Sequence, residues 1–584
     1  MSLTRVRGAM LVVALLQGAM LYGLHRALDA QVWPATDPRW LFPLYAVATL
    51  VPLVLHLDLP HLRDPLFVRG VAGFAGLLAV LGACAGATVM PSLSPRGDFP
   101  VTFAFGMSMV ALWWIVTPFL QTAVRSGSGR REPTPPYTEL FEAGWQNTMV
   151  VVQAALFTAL FWALLFLWAE LFDVVGVGVF EVLFQEPAFV YPITSVTFGY
   201  AVALAQSREQ FVLLLRRHLF GVLLWLLPLV AFIASAFLVT LPATGLAPLW
   251  KTGHATFLML WLQVFLLFFF NAAYQDGTSP PPYPHWLKVA LRVTCVAVPV
   301  YASLCVYSLS LRIAQHGLSV DRIWAMLFTA VIALYGAGYA YAALRDGAWM
   351  ARLGKVNTVM AWVLFGLIIA VTTPLLEPKR LAADDQVSRL LAGKVSAARF
   401  DYDYLRFNLG VFGDRALRRL AAGPGGHAES AEIARRATAT LAKTSRWEQA
   451  SPPPDLAAAI EVLPKGASLD PELVTFLRQQ ADSSAGAGLI CLRVSGLACV
   501  VLVVDLDGDG LDEVASVNGF PMNVYARTAA GWRRVGELRE EMGQMYSSPL
   551  WLDSIRAVPA RVTPSRWHVL EAGGRRLYLA ESRH

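Results

Sequence analysis

Phe257-Leu-Met-Leu-Trp-Leu-Gln-Val-Phe-Leu-Leu-Phe-Phe-Phe270 carries no formal charge and closes on Asn271-Ala-Ala-Tyr-Gln-Asp-Gly277. Counted from Ala255, about twenty uncharged residues pass, the length that takes a helix across a ~30 Å hydrocarbon core. A helix satisfies its own backbone hydrogen bonds, which lipid cannot do. The cap sets an amide, a phenol, a second amide and a carboxylate within a turn or two of the bilayer surface.

Most of the upstream chain repeats this pattern. Candidate spans fall at about 9–28, 39–57, 68–90, 101–123, 147–172, 187–206, 219–241, 253–273, 289–310, 323–344 and 357–375, about eleven helices in all. Thr4-Arg5-Val6-Arg7 before the apolar run from Ala9 has the form of a signal-peptide start. The spans that follow make it an uncleaved first helix. The stretch 173–186 is apolar but short and carries Asp173, Glu181 and Glu186, which predicts an interfacial or re-entrant piece. The composition agrees: the 584 residues are 56 % hydrophobic and 15 % charged, against about 25 % charged in soluble domains. The net charge of +6 comes without a basic stripe or a nucleic-acid-binding module, so the expected partner is the lipid bilayer, not nucleic acid.

Arginine and lysine concentrate in alternate loops, at Arg5 and Arg7, Arg63 and Arg69, Arg125, Arg130 and Arg131, Arg208, Arg216 and Arg217, Lys288, then Arg345, Arg352 and Lys355. The opposite loops are poorer. The positive-inside rule then predicts an inner-membrane protein with a cytoplasmic N-terminus and a periplasmic tail. A span at 173–186 would flip the tail. Gly82 and Gly86, four apart, read as plain close helix packing.

Ionisable and amide groups at membrane depth are costly and are functional candidates. Glu142, Gln146 and Asn147 enter one helix, Gln153 lies inside it, and Glu170 and Asp173 leave it. Glu181 and Glu186 follow. Asn271, Tyr274, Gln275 and Asp276 cap the opening span, and Arg312, Gln315, Asp321 and Arg322 form another cluster. By the expected topology Glu170, Asp173, Glu181 and Glu186 share a side with Arg312 and Arg322. That allows a carboxylate–guanidinium site, or else solvated helix ends and structural ion pairs.

Asn271-Ala-Ala-Tyr-Gln-Asp-Gly277 is similar to a motif of an uncharacterised family of multi-span bacterial, proteobacterial inner-membrane proteins known only as a domain of unknown function. Leu311-Arg-Ile-Ala-Gln-His-Gly-Leu318 with Asp321-Arg322, Leu15-Leu-Gln-Gly18 and Trp33-Pro-Ala-Thr36 resemble it too. The resemblance covers the membrane half and continues through Gln386. It implies a multi-span inner-membrane protein and no activity.

After Thr373-Pro374 hydrophobicity falls, and about 200 residues remain, enough for a separate core. Helices are expected at about 384–393, 401–409, 413–421, 428–445 and 470–481. The last opens on Asp470-Pro471, an N-cap followed by proline. Strands are expected at about 500–504, 514–517, 523–527, 532–535 and 576–580. The expected fold is a membrane all-α bundle, 1–375, followed by a soluble α+β C-terminal domain. The latter divides into a helical segment, 376–488, and a β-rich subdomain, 489–584.

Asp505-Leu-Asp-Gly-Asp-Gly-Leu-Asp-Glu513 holds the sharpest chemical motif. Asp505, Asp507 and Asp509 stand at positions 1, 3 and 5, Gly510 permits a sharp turn, Leu511 offers a carbonyl and Glu513 a ninth-position ligand. Hard oxygens in this number suit Ca²⁺. A full EF-hand would place Glu where this chain has Ser516, and the flanks are strands. The alternative is an acidic β-turn without metal. Cys491 and Cys499 flank the Ser495-Gly496 turn signal, which allows either a hairpin disulfide or two buried thiols.

No Walker loop, Gly-x-Ser-x-Gly, His-Glu-x-x-His or Cys-x-x-Cys occurs, which argues against a soluble-type hydrolase or ATPase. Three functions stay open. One is a transporter-like or envelope-maintenance protein. Another is a membrane scaffold or sensor with a calcium-binding tail. The third is a membrane enzyme acting on a lipid-linked or headgroup substrate.

Overall fold

The computed structural model describes residues 3–90, 99–126, 135–245, 255–277, 282–345, 349–423, 425, 428–443, 460–482, 499–516, 522–528, 531–538, 556, 570–572 and 575–577. Among them, eleven helices are long and apolar enough to cross a membrane. They are α1 (Leu3–Asp29), α2 (Pro38–Asp58), α3 (Pro65–Gly86), α4 (Phe99–Ser126), α5 (Tyr137–Val174), α7 (Pro187–Ser207), α8 (Glu209–Thr244), α9 (Ala255–Tyr274), α10 (His285–His316), α11 (Val320–Leu344) and α12 (Trp349–Thr372). The stretch expected not to span is the seven-residue α6 (Val179–Gln185).

Local chemistry sets the helix starts. Asp37 accepts the Arg39 amide with Pro38 in the first turn of α2. Asp64 accepts the Leu66 amide with Pro65 in the first turn of α3. Each satisfies an amide the helix itself leaves unpaired. The 38 residues of α5 extend ~57 Å at 1.5 Å per residue, longer than a bilayer core. Its charged ends therefore reach beyond the hydrocarbon. Large apolar side chains point outward along the spans: Leu164 is 65 % exposed and Trp225 74 %. Such a surface is stable only against lipid; the chain is an integral, multi-pass membrane protein.

Two apolar cores organise the bundle. One is built mainly from α2, α3, α4, α5 and α7, the other mainly from α8, α9, α10 and α11. Trp145 packs against both. Helices approach to backbone contact here, α3 on α2 and α1 on α7. A Cβ on Gly82 would fall 2.6 Å from the Pro43 nitrogen, and one on Gly18 2.6 Å from the Pro192 Cα. The close packing expected of Gly82 and Gly86 is thus α3 against α2.

The expected breaks at 375/376 and 488/489 are not where the chain divides. It forms two compact units, Met1–Ala442 and Lys443–His584. Helices α13 (Pro378–Leu391), α14 (Tyr402–Asn408), α15 (Gly410–Ala421) and α16 (Ser430–Ala442) share one core with Ile323 of α11, so they belong to the first unit. The second unit contains β1 (Ile460–Leu463), α17 (Pro471–Asp482), β2 (Cys499–Val504), β3 (Glu513–Ser516), β4 (Met522–Thr528) and β5 (Gly531–Leu538). These strands form one sheet in that order. β1 and β2 run parallel and the remaining neighbours antiparallel. A separate pair joins β6 (Leu570–Ala572) to β7 (Arg575–Leu577). Asp470 caps α17 through the Glu472 amide and accepts the Trp532 indole at 3.1 Å. Those two donors hold its carboxyl below the usual range.

Candidate functional site

A cavity of about 380 Å³ opens among α4, α5, α9, α11 and α12, on the seam marked by Trp145. Trp114, Phe119, Phe141, Trp145 and Phe268 supply an aromatic wall. Asn271 and Asn357 reach it on the polar side. The Asn357 amide donates to the Asn271 oxygen at 2.6 Å and to the Tyr137 hydroxyl at 2.8 Å. Its own oxygen accepts from the Tyr339 hydroxyl at 2.7 Å. Asn271 donates back to the Leu267 carbonyl at 2.8 Å. Four helices thus meet on two amides and two phenols, none charged. On the α4–α5 side, Thr148 accepts the Trp114 indole at 3.0 Å. Gly144 leaves the floor open: a Cβ there would lie 3.7 Å from the Pro118 ring. The arrangement suits an uncharged guest with a flat apolar body and a hydrogen-bonding head.

Of the polar residues singled out from sequence, only Asn271 lines this cavity. Tyr274 beside it is buried, Asp276 half-buried, and Gln275 exposed with φ of 48°. Asn147, noted at the entry to its helix, pairs reciprocally with Gln121 of α4 at 2.9 and 3.1 Å. Asn357, Tyr137 and Tyr339 were missed because each lies at the edge of a span, where polar residues are ordinary. An amide at the start of an apolar helix was the available signal.

Glu170 and Asp173 sit exposed at the end of α5, and Glu181 and Glu186 exposed about α6. Arg312, Gln315, Asp321 and Arg322 surround the α10–α11 turn, where structure explains much of the motif. Gly317 turns the chain at φ 76°, ψ −177°, and Arg322 donates to its carbonyl at 2.8 Å. Helix α13 clamps the same turn. Asp385 accepts the Leu318 amide at 2.7 Å, Gln386 donates to the Leu318 carbonyl at 2.7 Å, and Arg389 donates to the Gln315 carbonyl at 2.9 Å. Tyr404 of α14 accepts the Val320 amide at 3.0 Å. Glu377 caps α13 through the Lys379 amide; burial pushes its carboxyl up.

In the second unit the acidic loop joins β2 to β3. Asp505 accepts the amides of Gly508 at 2.7 Å and Gly510 at 3.0 Å. Both glycines have positive φ, 80° and 87°. The buried Glu513 accepts the Leu506 amide at 2.7 Å. Asp505, Asp507 and Glu513 each present an oxygen, all within 4.8 Å of one another. Oxygens sharing a Ca²⁺ at 2.3–2.6 Å lie at most about 5 Å apart, so the three fit that ion. Asp509 stands outside this group and caps the exposed Leu511 through its amide at 2.7 Å. Cys499 is disulfide-bonded; Cys491, its partner in the hairpin-disulfide alternative, lies outside the described residues.

The family model described as Domain of unknown function (DUF4153) matches residues 11–420. The chain belongs to that family. The match runs from within α1 through the other described spans and the α13 clamp, while the acidic loop lies beyond it. No curated protein and no solved structure matches the chain.

Proposed function

We propose that this integral membrane protein is transporter-like and receives a small uncharged amphiphile in the seam cavity. The carrying observation is the cavity itself, walled by aromatics and faced by an uncharged amide–phenol network where two apolar cores meet. Sites between packed groups of helices are where membrane carriers place their cargo. The neutral amphiphile prodan serves as a probe, read by energy transfer from tryptophan in nanodiscs. Saturable transfer is expected. Gly144→Leu, which grows into the cavity, should weaken it about tenfold or more, ~1.4 kcal/mol. Equal affinity in that variant would sink the cavity reading.

The reading places the protein in the inner membrane with a cytoplasmic N-terminus and a periplasmic C-terminal unit. The odd number of candidate spans, the arginine-rich alternate loops and the oxidised Cys499 support it. Alkaline phosphatase fused after His584 should be active. An inactive but stable fusion would reverse the orientation.

One observation favours a second reading, a calcium-responsive scaffold or sensor: the convergence of Asp505, Asp507 and Glu513. Ca²⁺ titrated onto the full chain should raise the melting point of its second unit. At ten times Kd the gain is ~1.4 kcal/mol, with Kd near 10⁻⁴–10⁻³ M as in extracellular modules. Asp505→Ala/Asp507→Ala should abolish the gain. No shift at millimolar Ca²⁺ would leave the loop an acidic turn.

A further inference from the structure

Asp58 ends α2 inside the bundle, with 5 % of its surface exposed. Its Oδ2 is fully buried and has no hydrogen-bond partner. A buried carboxylate oxygen is seldom left so. Three surroundings say what completes it. The Gln121 amide faces the carboxylate, but its oxygen and that of Asn147 are already taken by each other's N–H groups. His61, whose side chain is 40 % exposed, brings Nδ1 to 3.6 Å of Oδ1. Arg125 at the end of α4 adds a positive charge. A metal cation needs several oxygens, and only one is free. A proton needs one, and a half-exposed imidazole beside it links the site to water.

We propose that Asp58 is a proton-exchange site, relayed by His61, whose charge state is felt at the seam cavity through α4 and α5. The coupling half rests on the cavity reading; the proton site does not. The link is short. Gln121 lies one turn beyond Pro118, which lines the cavity and interrupts the α4 hydrogen-bond ladder. Its partner Asn147 is followed by Thr148, the residue that holds the Trp114 indole against the cavity. When Asp58 is ionised it draws on the Gln121 N–H; when protonated it releases it. The Gln121–Asn147 pair and the Pro118 bend then settle differently.

Among the described residues, the charged or titratable groups facing Asp58 are His61 from its own turn and Arg125 from α4. The neighbouring His56 turns instead to the Met10 carbonyl of α1 at 3.3 Å. Gln206 of α7 donates to the carbonyls of His56 and Leu57 at 3.2 and 2.9 Å.

Dicyclohexylcarbodiimide adds to a protonated carboxyl in an apolar site and rearranges to a stable N-acylurea. In nanodiscs, peptide mapping should find the adduct on Asp58 in preference to the exposed Glu170. Its yield should fall along a one-proton curve as the pH is raised across the range in which the nanodiscs stay intact. No adduct on Asp58, or a yield indifferent to pH, overturns the site. For the coupling, the prodan Kd of the wild type should change about fivefold or more over the same range. Asp58→Asn should still bind prodan, with a flat profile. A flat wild-type profile, or a slope that survives in Asp58→Asn, overturns the coupling and leaves the cavity standing. Prodan that binds at no pH removes the cavity and the coupling together, while the labelling curve still decides the proton site.

Discussion

Gly317→Ala releases helix α13 from the membrane bundle: its amides lose about a thousandfold of their protection from hydrogen exchange. Three costs fall together on this residue. Its backbone, φ 76° and ψ −177°, lies in a region essentially reserved for glycine, where a side chain costs ~1–3 kcal/mol. A Cβ would stand 2.6 Å from the Arg389 Cδ and 2.8 Å from the Asp385 Oδ2. Neither can yield freely, because Asp385 must hold the Leu318 amide at 2.7 Å and Arg389 the Gln315 carbonyl at 2.9 Å. Losing one such charge-assisted bond costs a further ~1.5–3 kcal/mol. The total, about 4 kcal/mol, is near three decades of opening population at 1.4 kcal/mol each. Exchange measured peptide by peptide on the full chain reads it directly, provided α13 exchanges by undocking. Gly366→Ala is the control, since a Cβ there meets nothing within 4 Å. Wild-type protection of α13 in Gly317→Ala would mean that the turn is not what holds it.

The same turn shows what the sequence makes legible. Eleven spans follow from length and charge alone, because a bilayer asks only for a long uncharged helix, and α6 is excluded because Asp173, Glu181 and Glu186 crowd a short stretch. The polar run from Arg312 to Arg322 announces that something binds there. It does not announce α13, since Asp385, Gln386 and Arg389 lie about seventy residues on and their pattern is that of any solvated helix. The domain boundary moves for the same reason: α13–α16 look soluble in composition, yet they share a core with Ile323. Strand β1 is four residues with Glu461 inside, and it exists by parallel pairing with β2 across forty residues of chain. The convergence of Asp505, Asp507 and Glu513 follows from residues close in sequence and from turn glycines fixed by local backbone geometry. Asp509 is the exception. Its side chain caps Leu511 rather than joining the cluster, a choice of rotamer that spacing does not record.

Asn357→Leu should be the most damaging conservative-volume change in the bundle, at about 3 kcal/mol. In lipid two apolar surfaces gain nothing from hydrophobic association, since the tails outside are as apolar as leucine. The seam between the two cores is therefore specified by shape and by directional bonds, and Asn357 makes three of them, to Tyr137, Asn271 and Tyr339. Interhelical hydrogen bonds in membranes average only ~0.6 kcal/mol, which would give about 2. That average assumes the freed groups find other partners. Tyr339 is 1 % exposed, so its hydroxyl is poorly placed to find water, and a buried orphan adds ~1 kcal/mol or more. Asn357→Asp, compared at a pH low enough to keep the new carboxyl protonated, keeps an acceptor for Tyr339 and one O–H donor and should cost less. Tyr339→Phe removes one bond together with both the donor and its need, and should cost least, ~0.6 kcal/mol. Unfolding in mixed micelles gives the order of the three variants. If Asn357→Leu proves no worse than Tyr339→Phe, the amide is not the tie. If it proves worst, the polar face of the cavity is also the joint between its walls, and a guest that hydrogen-bonds there acts on the same contacts that hold the two cores together.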